Sequence, residues 1–243
     1  MDSDSATSEP IGHVALVDHQ EVDVRLVHTL LACTKAAQEP SGELPLEVFG
    51  LPSLQVMALQ ENCLSGDVPK GFSSIVSLRY LNLSSIEFAG NIPITYGFLS
   101  SLTVLSLSHN GVSGEIPPEI GGCWQLEVLQ PRSNFLEGNI LGDISRLSCL
   151  KELNLGHNRL KGSLSKFSNL MVLNLSSNQL IGKILVELSS ISGLEYLNVS
   201  SNNLEGEIPY MLGATFNEPS VFAMNQGLCG NPLHRECAND PSA

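Results

Sequence analysis

Histidine readily supplies a metal ligand or a proton carrier near neutral pH, and two of the six histidines recur at a fixed spacing. His109 and His157 lie 48 residues apart, each directly before an asparagine. The sequence has no cluster of cysteines and histidines at metal-ligand spacing, no Gly-x-Ser-x-Gly, no glycine-rich phosphate loop and no His-Arg-Asp. We therefore expect both histidines to be exposed turn residues. We expect the chain to be non-catalytic, with no metal and no cofactor.

The six cysteines are too few to form a disulfide scaffold in a chain of 243 residues. We expect four of them, Cys33, Cys63, Cys123 and Cys149, to pack as small apolar side chains. Cys123 and Cys149 occupy different positions of the repeat described below, and this difference weighs against a bond between them.

Composition narrows the classes of partner. With 42% hydrophobic residues the chain can bury a sizeable core. Its net charge of −13 and its pI near 4.7 disfavour binding to nucleic acid phosphates. No apolar run approaches the ~18 residues that a membrane-spanning helix needs. The N-terminus, MDSDSATSEP, is acidic and lacks the basic start and apolar run of a secretory signal.

The elements that must position any site are repeated along the chain. The skeleton reads Leu102-x-x-Leu105-x-Leu107-x-x-Asn110-x-Val112-x-Gly114-x-Ile116-Pro117, and it recurs 24 and 48 residues earlier. Its asparagine recurs at Asn62, Asn134, Asn158, Asn178 and Asn202. The Leu-x-Leu alternation predicts a short strand with its leucines on one face, and stacked strands make one continuous core. The asparagine amide can satisfy backbone groups of the following turn.

Two repeats depart from this skeleton inside the predicted core. Ile86 stands at an asparagine position and has no amide with which to bond the turns. Pro131 stands where a strand leucine belongs, and proline cannot donate to a sheet ladder. Between Asn158 and Asn178 the repeat is only 20 residues long, so we expect a tight connection there.

The Gly-x-Ile-Pro tail of the repeat resembles the plant-specific leucine-rich repeat in the ectodomains of plant receptor-like kinases, over residues 41–237. The resemblance implies an α/β solenoid, a right-handed superhelix with short parallel strands on its concave face, here preceded by an N-terminal helix. It also implies a protein or peptide ligand, or a co-receptor, as partner. The segment FNEPSVFAMNQGLCGNPLHREC resembles the C-terminal cap of such ectodomains. In that cap, Phe216, Val221 and Phe222 would cover the last coil, and Cys229 and Cys237 would form a disulfide.

The concave face is the candidate binding site, because parallel strands align their outward side chains there. Its predicted columns contain Val56, Ala58, Tyr80, Asn82, Val104, Ser106, Val128, Gln130, Arg132, Glu152, Asn154, Val172, Asn174, Tyr196 and Asn198. Three of these residues, Asn82, Asn174 and Asn198, begin Asn-x-Ser sequons. They are expected to accept N-linked glycans only if the chain enters the secretory pathway.

The segment before the repeats has a different character. The stretch VDHQEVDVRLVHTLLACTKAAQ has helical apolar spacing, which predicts a helix over about 21–38, and it resembles the opening of a GRAS domain of the DELLA branch. The array begins in mid-repeat, which indicates a junction of two unrelated pieces near Pro40 and Ser41. The predicted divisions are 1–40, the repeat array 41–209 and the cap and tail 210–243. Residues 1–40 are expected to contribute little to the repeat fold.

The leading hypothesis is a non-catalytic binding module, a truncated relative of a receptor-like kinase ectodomain. The alternatives are a secreted inhibitor of cell-wall-degrading enzymes, a GRAS-related nuclear regulatory fragment, and a non-functional fusion or mispredicted gene product. The family resemblance implies the cell surface or the extracellular space. The missing signal and membrane segments imply the cytoplasm or nucleus instead, if the chain is translated as written.

Overall fold

The chain folds as a stack of coils in which one long sheet lines one side. The computed structural model describes residues 15–17 (backbone), 44, 46–62, 64–140, 144–164 and 167–237. The long sheet has eight described strands, in this order: β1 (Ala15–Val17), β2 (Val56–Ala58), β4 (Tyr80–Asn82), β6 (Val104–Ser106), β8 (Val128–Gln130), β10 (Glu152–Asn154), β11 (Val172–Asn174) and β13 (Tyr196–Asn198). From β2 to β13 all neighbours are parallel, which confirms the solenoid predicted from the repeat.

A second set of parallel strands, which the sequence did not predict, follows the asparagine turns. One sheet contains β3 (Ser65–Asp67), β5 (Glu87–Asn91), β7 (Gly111–Glu115) and β9 (Phe135–Glu137), and the other contains β12 (Ile181–Lys183), β14 (Asn203–Glu207) and β15 (Gly227–Cys229). The break between the two sheets falls in the repeat that is four residues short. A bridge between Asn139 and Lys161 spans part of that break.

The return segments on the convex side are mostly short 3-10 helices. They span Leu46–Gly50, Lys70–Ser74, Ile94–Phe98, Pro118–Gly122, Ile144–Arg146 and Val186–Ser190, followed by helix α1 (Tyr210–Thr215) and a 3-10 turn at Pro219–Val221. Adjacent returns pack backbone against backbone. A Cβ atom at Gly97 would collide with the Glu119 carbonyl oxygen, and one at Gly122 would collide with the Gly97 carbonyl oxygen. Glycine at these two positions therefore permits the close approach of neighbouring coils.

The repeated asparagines join one coil to the next. Asn158 Nδ2 donates to the carbonyl oxygens of Pro131 (3.0 Å) and Leu155 (3.1 Å), and its Oδ1 accepts from Leu136 N (3.0 Å). The same three-way pattern is made by Asn110, Asn134, Asn178 and Asn202. Each such amide satisfies buried backbone groups that would be costly to leave unpaired, at about 1–3 kcal/mol per group.

The two residues that depart from the repeat skeleton, Ile86 and Pro131, affect different hydrogen bonds. Ile86 is buried in the core and lacks the amide that its counterparts use. At Pro131 the sheet itself is altered. The equivalent amides, Leu107 N and Leu155 N, donate across the sheet to Gln130 O (3.0 Å) and Asn174 O (2.8 Å). Proline has no N–H, and between the described strands β8 and β10 two rungs form where most neighbouring strand pairs have three.

The C-terminal cap continues the repeat pattern for one more half-coil. Phe222 is fully buried, and Phe216 and Val221 pack against the core. Asn225 Nδ2 donates to Val199 O and Phe222 O (both 3.0 Å), and its Oδ1 accepts from Leu204 N (3.0 Å). Asn225 thus adds one member to the asparagine series that the sequence analysis missed, because the insertion of one residue before Leu228 obscures the spacing.

Two further links close this end of the chain. Cys229 and Cys237 form a disulfide, with their Cα atoms 5.0 Å apart. Arg235 Nη1 donates to the carbonyl oxygens of Asn225 (3.2 Å), Gln226 (2.7 Å) and Leu228 (3.0 Å). Among the described residues, no further coil follows that could donate hydrogen bonds to these three carbonyl groups. The guanidinium group of Arg235 donates to them instead.

At the other end, β1 pairs with β2 in the antiparallel direction. The rungs join Ala15 to Ala58, Leu16 to Met57 and Val17 to Val56. The GRAS-like helix predicted over about 21–38 lies outside the described residues, as do Cys33 and Cys63.

Candidate binding face

The register of the long sheet aligns the predicted concave residues into columns. We call the first the valine column: Val56, Tyr80, Val104, Val128, Glu152, Val172 and Tyr196. The second, the amide column, contains Ala58, Asn82, Ser106, Gln130, Asn154, Asn174 and Asn198. The intervening leucines, such as Leu105 and Leu153, are fully buried. Side chains of the two columns therefore point away from the core, on the concave face.

Polar side chains on the concave face are bonded to one another across neighbouring strands. Ser84 Oγ and Ser106 Oγ are 2.6 Å apart, and Ser106 Oγ donates to Gln130 Oε1 at 3.4 Å. Gln130 Nε2 donates to Glu152 Oε1 at 2.6 Å. The chain of bonds runs from Ser84, two residues after β4, to Glu152 in β10, so the glutamine amide and the glutamate carboxylate have a defined orientation before any ligand arrives.

Charge is scarce on this face. The valine and amide columns, together with the third column Gln60, Ser84, Ser108, Arg132, Gly156, Ser176 and Ser200, contain two charged residues, Arg132 and Glu152. Arg132 Nε is buried without a hydrogen-bond partner among the described residues. The full chain has 37 Lys, Arg, Asp and Glu residues, so charge is sparse in these three columns. A partner that covers this face therefore meets a neutral surface with one carboxylate and one guanidinium group on adjacent coils.

The three sequon asparagines differ in how much of their side chain is accessible. Asn174 is only 8% exposed, and its Oδ1 accepts from Ser176 N (3.1 Å) and Ser176 Oγ (2.8 Å). Asn82 and Asn198 are half-buried. Their Oδ1 atoms accept from Ser84 N and Ser200 N, both at 3.0 Å. A glycan on Asn174 is the least compatible with the folded sheet, and glycosylation of Asn82 and Asn198 stays a prediction.

With this geometry in place, comparison with known proteins identifies the repeat. A family model described as the leucine-rich repeat region matches residues 34–220, more than half of the chain. The chain belongs to the leucine-rich repeat family. Separately, 39 residues are 54% identical to the DELLA protein GAI of Arabidopsis thaliana, covering 16% of this chain and 7% of that protein.

Solved structures refine the match to plant receptor ectodomains. The Arabidopsis receptor kinase HAESA, crystallised with the peptide hormone IDA and the co-receptor SERK1, is 33% identical over 80% of this chain, with a TM-score of 0.71. A TDR receptor is 31% identical over 70% of this chain, with a TM-score of 0.66. This chain spans 33% and 30% of those two chains. A plant ice-binding protein is 28% identical, with a TM-score of 0.50, 81% of this chain and 80% of that one being covered.

These matches confirm the resemblance to plant leucine-rich-repeat receptor kinase ectodomains that the Gly-x-Ile-Pro tail indicated. They place a repeat fold of ectodomain type on the chain, and they place no kinase or other catalytic domain on it. Within the described residues, no helix is both long enough and apolar enough to cross a membrane.

The residues that could do chemistry lie apart from one another in this leucine-rich-repeat chain. His109 and His157 are exposed, and both have a positive φ (58° and 57°) at the turn before the asparagine. The described residues contain no group of three or more His, Cys, Asp or Glu side chains that could hold a metal ion. Burial raises the pKa of the Cys123 thiol to about 12, so it stays protonated and unreactive at neutral pH. Cys149 is an exposed free thiol, so the expectation that it packs as a small apolar side chain is wrong.

The sequence analysis missed an apolar surface on the convex side. Ile94, Phe98 and Trp124 are 62%, 71% and 57% exposed. Next to two of them is a cavity of about 340 Å³, lined by Ile94, Thr95, Gly97, Phe98, Glu119 and Gly122. An alignment of the repeats indicates this surface, because the residue after the tail proline is the apolar Ile94 in one repeat and the charged Lys70 in the preceding one. This convex surface is a second candidate binding surface, so a test of the concave face must distinguish between the two.

Proposed function

We propose that this chain is a non-catalytic module that binds an extended peptide or the edge of a protein along its concave sheet. The observation that carries the proposal is the register of the valine and amide columns, whose side chains repeat at the strand spacing on a continuous hydrogen-bonded sheet. Seven parallel strands at ~4.8 Å cover roughly 30 Å, the length of about nine extended residues. HAESA, which is similar in fold and sequence, was crystallised with a peptide hormone.

Rigidity favours the concave face over the convex returns. Each concave strand from β2 to β11 is bonded to a strand on both sides, so its side chains are held in place before binding and little conformational entropy is lost. The tyrosines at positions 80 and 196 of the valine column offer large contact area with few rotatable bonds. The described 3-10 returns lie outside the sheets, and their series is interrupted at Ile144–Arg146, which has three residues where the other five returns before α1 have five.

Two alternatives predicted from the sequence differ from the proposal in the partner that is bound or in the segment that acts. An inhibitor of cell-wall-degrading enzymes would bind an enzyme surface with the same face, so it differs in partner and not in mechanism. A GRAS-related regulatory fragment would act through the segment before residue 41 and would be indifferent to changes on the concave sheet. Substitutions on that sheet therefore separate the second alternative from the proposal.

The test uses peptides selected on the full chain from a random dodecapeptide display library. Val104→Arg places a charge in the middle of the valine column, where burial against a ligand without a partner is costly, and we expect at least about a tenfold loss of affinity by calorimetry. Val104 is partly exposed, so folding should be retained, and circular dichroism checks this.

The control variant is Glu119→Arg, which adds the same guanidinium group to the convex cavity. It should leave the affinity nearly unchanged. Equal losses in the two variants, or a larger loss with Glu119→Arg, would transfer the binding site to the convex surface.

A further inference from the structure

One carboxylate occupies an otherwise uncharged column of the concave face. Glu152 lies in the valine column, and its rung partners on either side are Val128 and Val172. Its side chain is half-buried. The two valines offer this carboxylate neither a charge nor a hydrogen bond. Its contribution to binding therefore depends on the ligand that covers it.

The carboxylate of Glu152 is oriented but not neutralised. Gln130 Nε2 donates to Oε1 at 2.6 Å, and no described residue forms an ion pair with this carboxylate. The adjacent Lys151 is bonded to Glu127 at 2.7 Å instead. The other charge of the face, Arg132, lies four residues beyond the rung partner Val128, which is roughly 13 Å along the strand direction. Within the part of the chain that the structure describes, Oε2 of Glu152 therefore remains available to a partner.

We propose that the peptide bound by the concave sheet presents a lysine or arginine side chain to Glu152, with apolar side chains over the flanking valines. The proposal deepens the proposed function and rests on it. A ligand that covered Glu152 without a cation would bury an uncompensated carboxylate, which is costly, whereas a cation makes a charge-assisted hydrogen bond. The same carboxylate selects against acidic ligands, so it acts on specificity more than on total affinity.

The probe is again a random dodecapeptide display library, selected on the full chain and, in parallel, on Glu152→Gln. Glutamine keeps an oxygen that can accept from Gln130 Nε2, so the bonded network of the face is retained while the charge is lost. The matched control is Glu195→Gln, the same change at an exposed position directly before β13. We expect peptides selected on the wild-type chain and on Glu195→Gln to share a Lys or Arg at one position, and those selected on Glu152→Gln to lack it.

A thermodynamic cycle then assigns the contact. Replacing the shared cationic residue of a selected peptide by norleucine should weaken binding about tenfold to the wild-type chain and by less than about twofold to Glu152→Gln, because coupled residues are non-additive. An equal loss on both proteins, or no shared cation among the selected peptides, would overturn the assignment of Glu152 while leaving the concave site intact if Val104→Arg still prevents binding. Peptides unaffected by Val104→Arg would overturn the proposed function and this inference together.

Discussion

The two ends of the solenoid are closed by different means. At the C-terminal end the chain continues its own pattern, with Phe222 in the core position, Asn225 in the asparagine series and β15 in the second sheet. At the N-terminal end the pattern is changed, since β1 runs antiparallel to the first parallel strand β2. Among the described residues, the C-terminal arrangement adds a buried aromatic side chain and a disulfide, and the N-terminal arrangement adds three rungs to β2.

A cavity of about 370 Å³ opens beside the first coil, lined by Leu44, Leu46, Phe49, Ser65, Gly66, Asp67, Pro69, Lys70, Gly71 and Phe88. Even so, Val48 and Leu54 of that coil are fully buried. The C-terminal partial coil reproduces the hydrogen bonds that the asparagine makes in a full coil, whereas β1 adds three rungs to one strand. We therefore expect disruption of the C-terminal end to cost more.

The largest effect is expected from ending the chain after Pro209. This change removes Phe222 and Asn225 and uncovers leucines that are now buried, among them Leu197 and Leu204, which have no next coil to pack against. We expect aggregation and loss of cooperative melting, measured by light scattering coupled to size exclusion and by circular dichroism. A monomeric protein of unchanged stability would show that the last coil needs no cap.

How much of this end could be predicted is instructive. Phe222 and the disulfide partners follow from the resemblance of the cap, whereas Asn225 was missed because Gln226 and Gly227 separate it from Leu228 by one residue more than in a regular repeat. The second set of parallel strands, which forms two sheets, was missed for a related reason. Each of its strands contains or adjoins a glycine and lacks a clear apolar alternation. Periodicity predicts what repeats, and it fails where an insertion shifts the period.

The concave site shows the same limit. Its columns could be assigned from the Leu-x-Leu alternation, because side chains in a strand alternate between two faces. The bond from Gln130 to Glu152 could not, because the choice of rotamer depends on the neighbouring strand. Nor does the alternation indicate the convex surface around Phe98, whose exposure depends on how the 3-10 returns pack.

A smaller effect is expected from the single change Asn225→Leu, which tests whether the cap owes its stability to the continued asparagine series. Removal of the amide leaves Val199 O, Phe222 O and Leu204 N without this partner, and we expect a loss of about 1–3 kcal/mol in the free energy of unfolding. Urea denaturation measures the loss. The matched control is Asn217→Leu at an exposed position of the same cap, which should change stability by less than about 0.5 kcal/mol.

The smallest effect is expected from a chain that starts at Ser41. It loses β1 and the three rungs to β2, but keeps Val48, Leu54 and every coil of the repeat. Because β1 contacts one edge strand and brings no member of the asparagine series, we expect a loss near 1 kcal/mol, which for a protein of this size lowers Tm by about 2–4 °C. The far-ultraviolet spectrum of the remaining sheets should persist. A fall in Tm as large as that caused by ending the chain after Pro209 would make the two ends equivalent, and residues before Ser41 would then be a true cap and not an unrelated piece joined to the array.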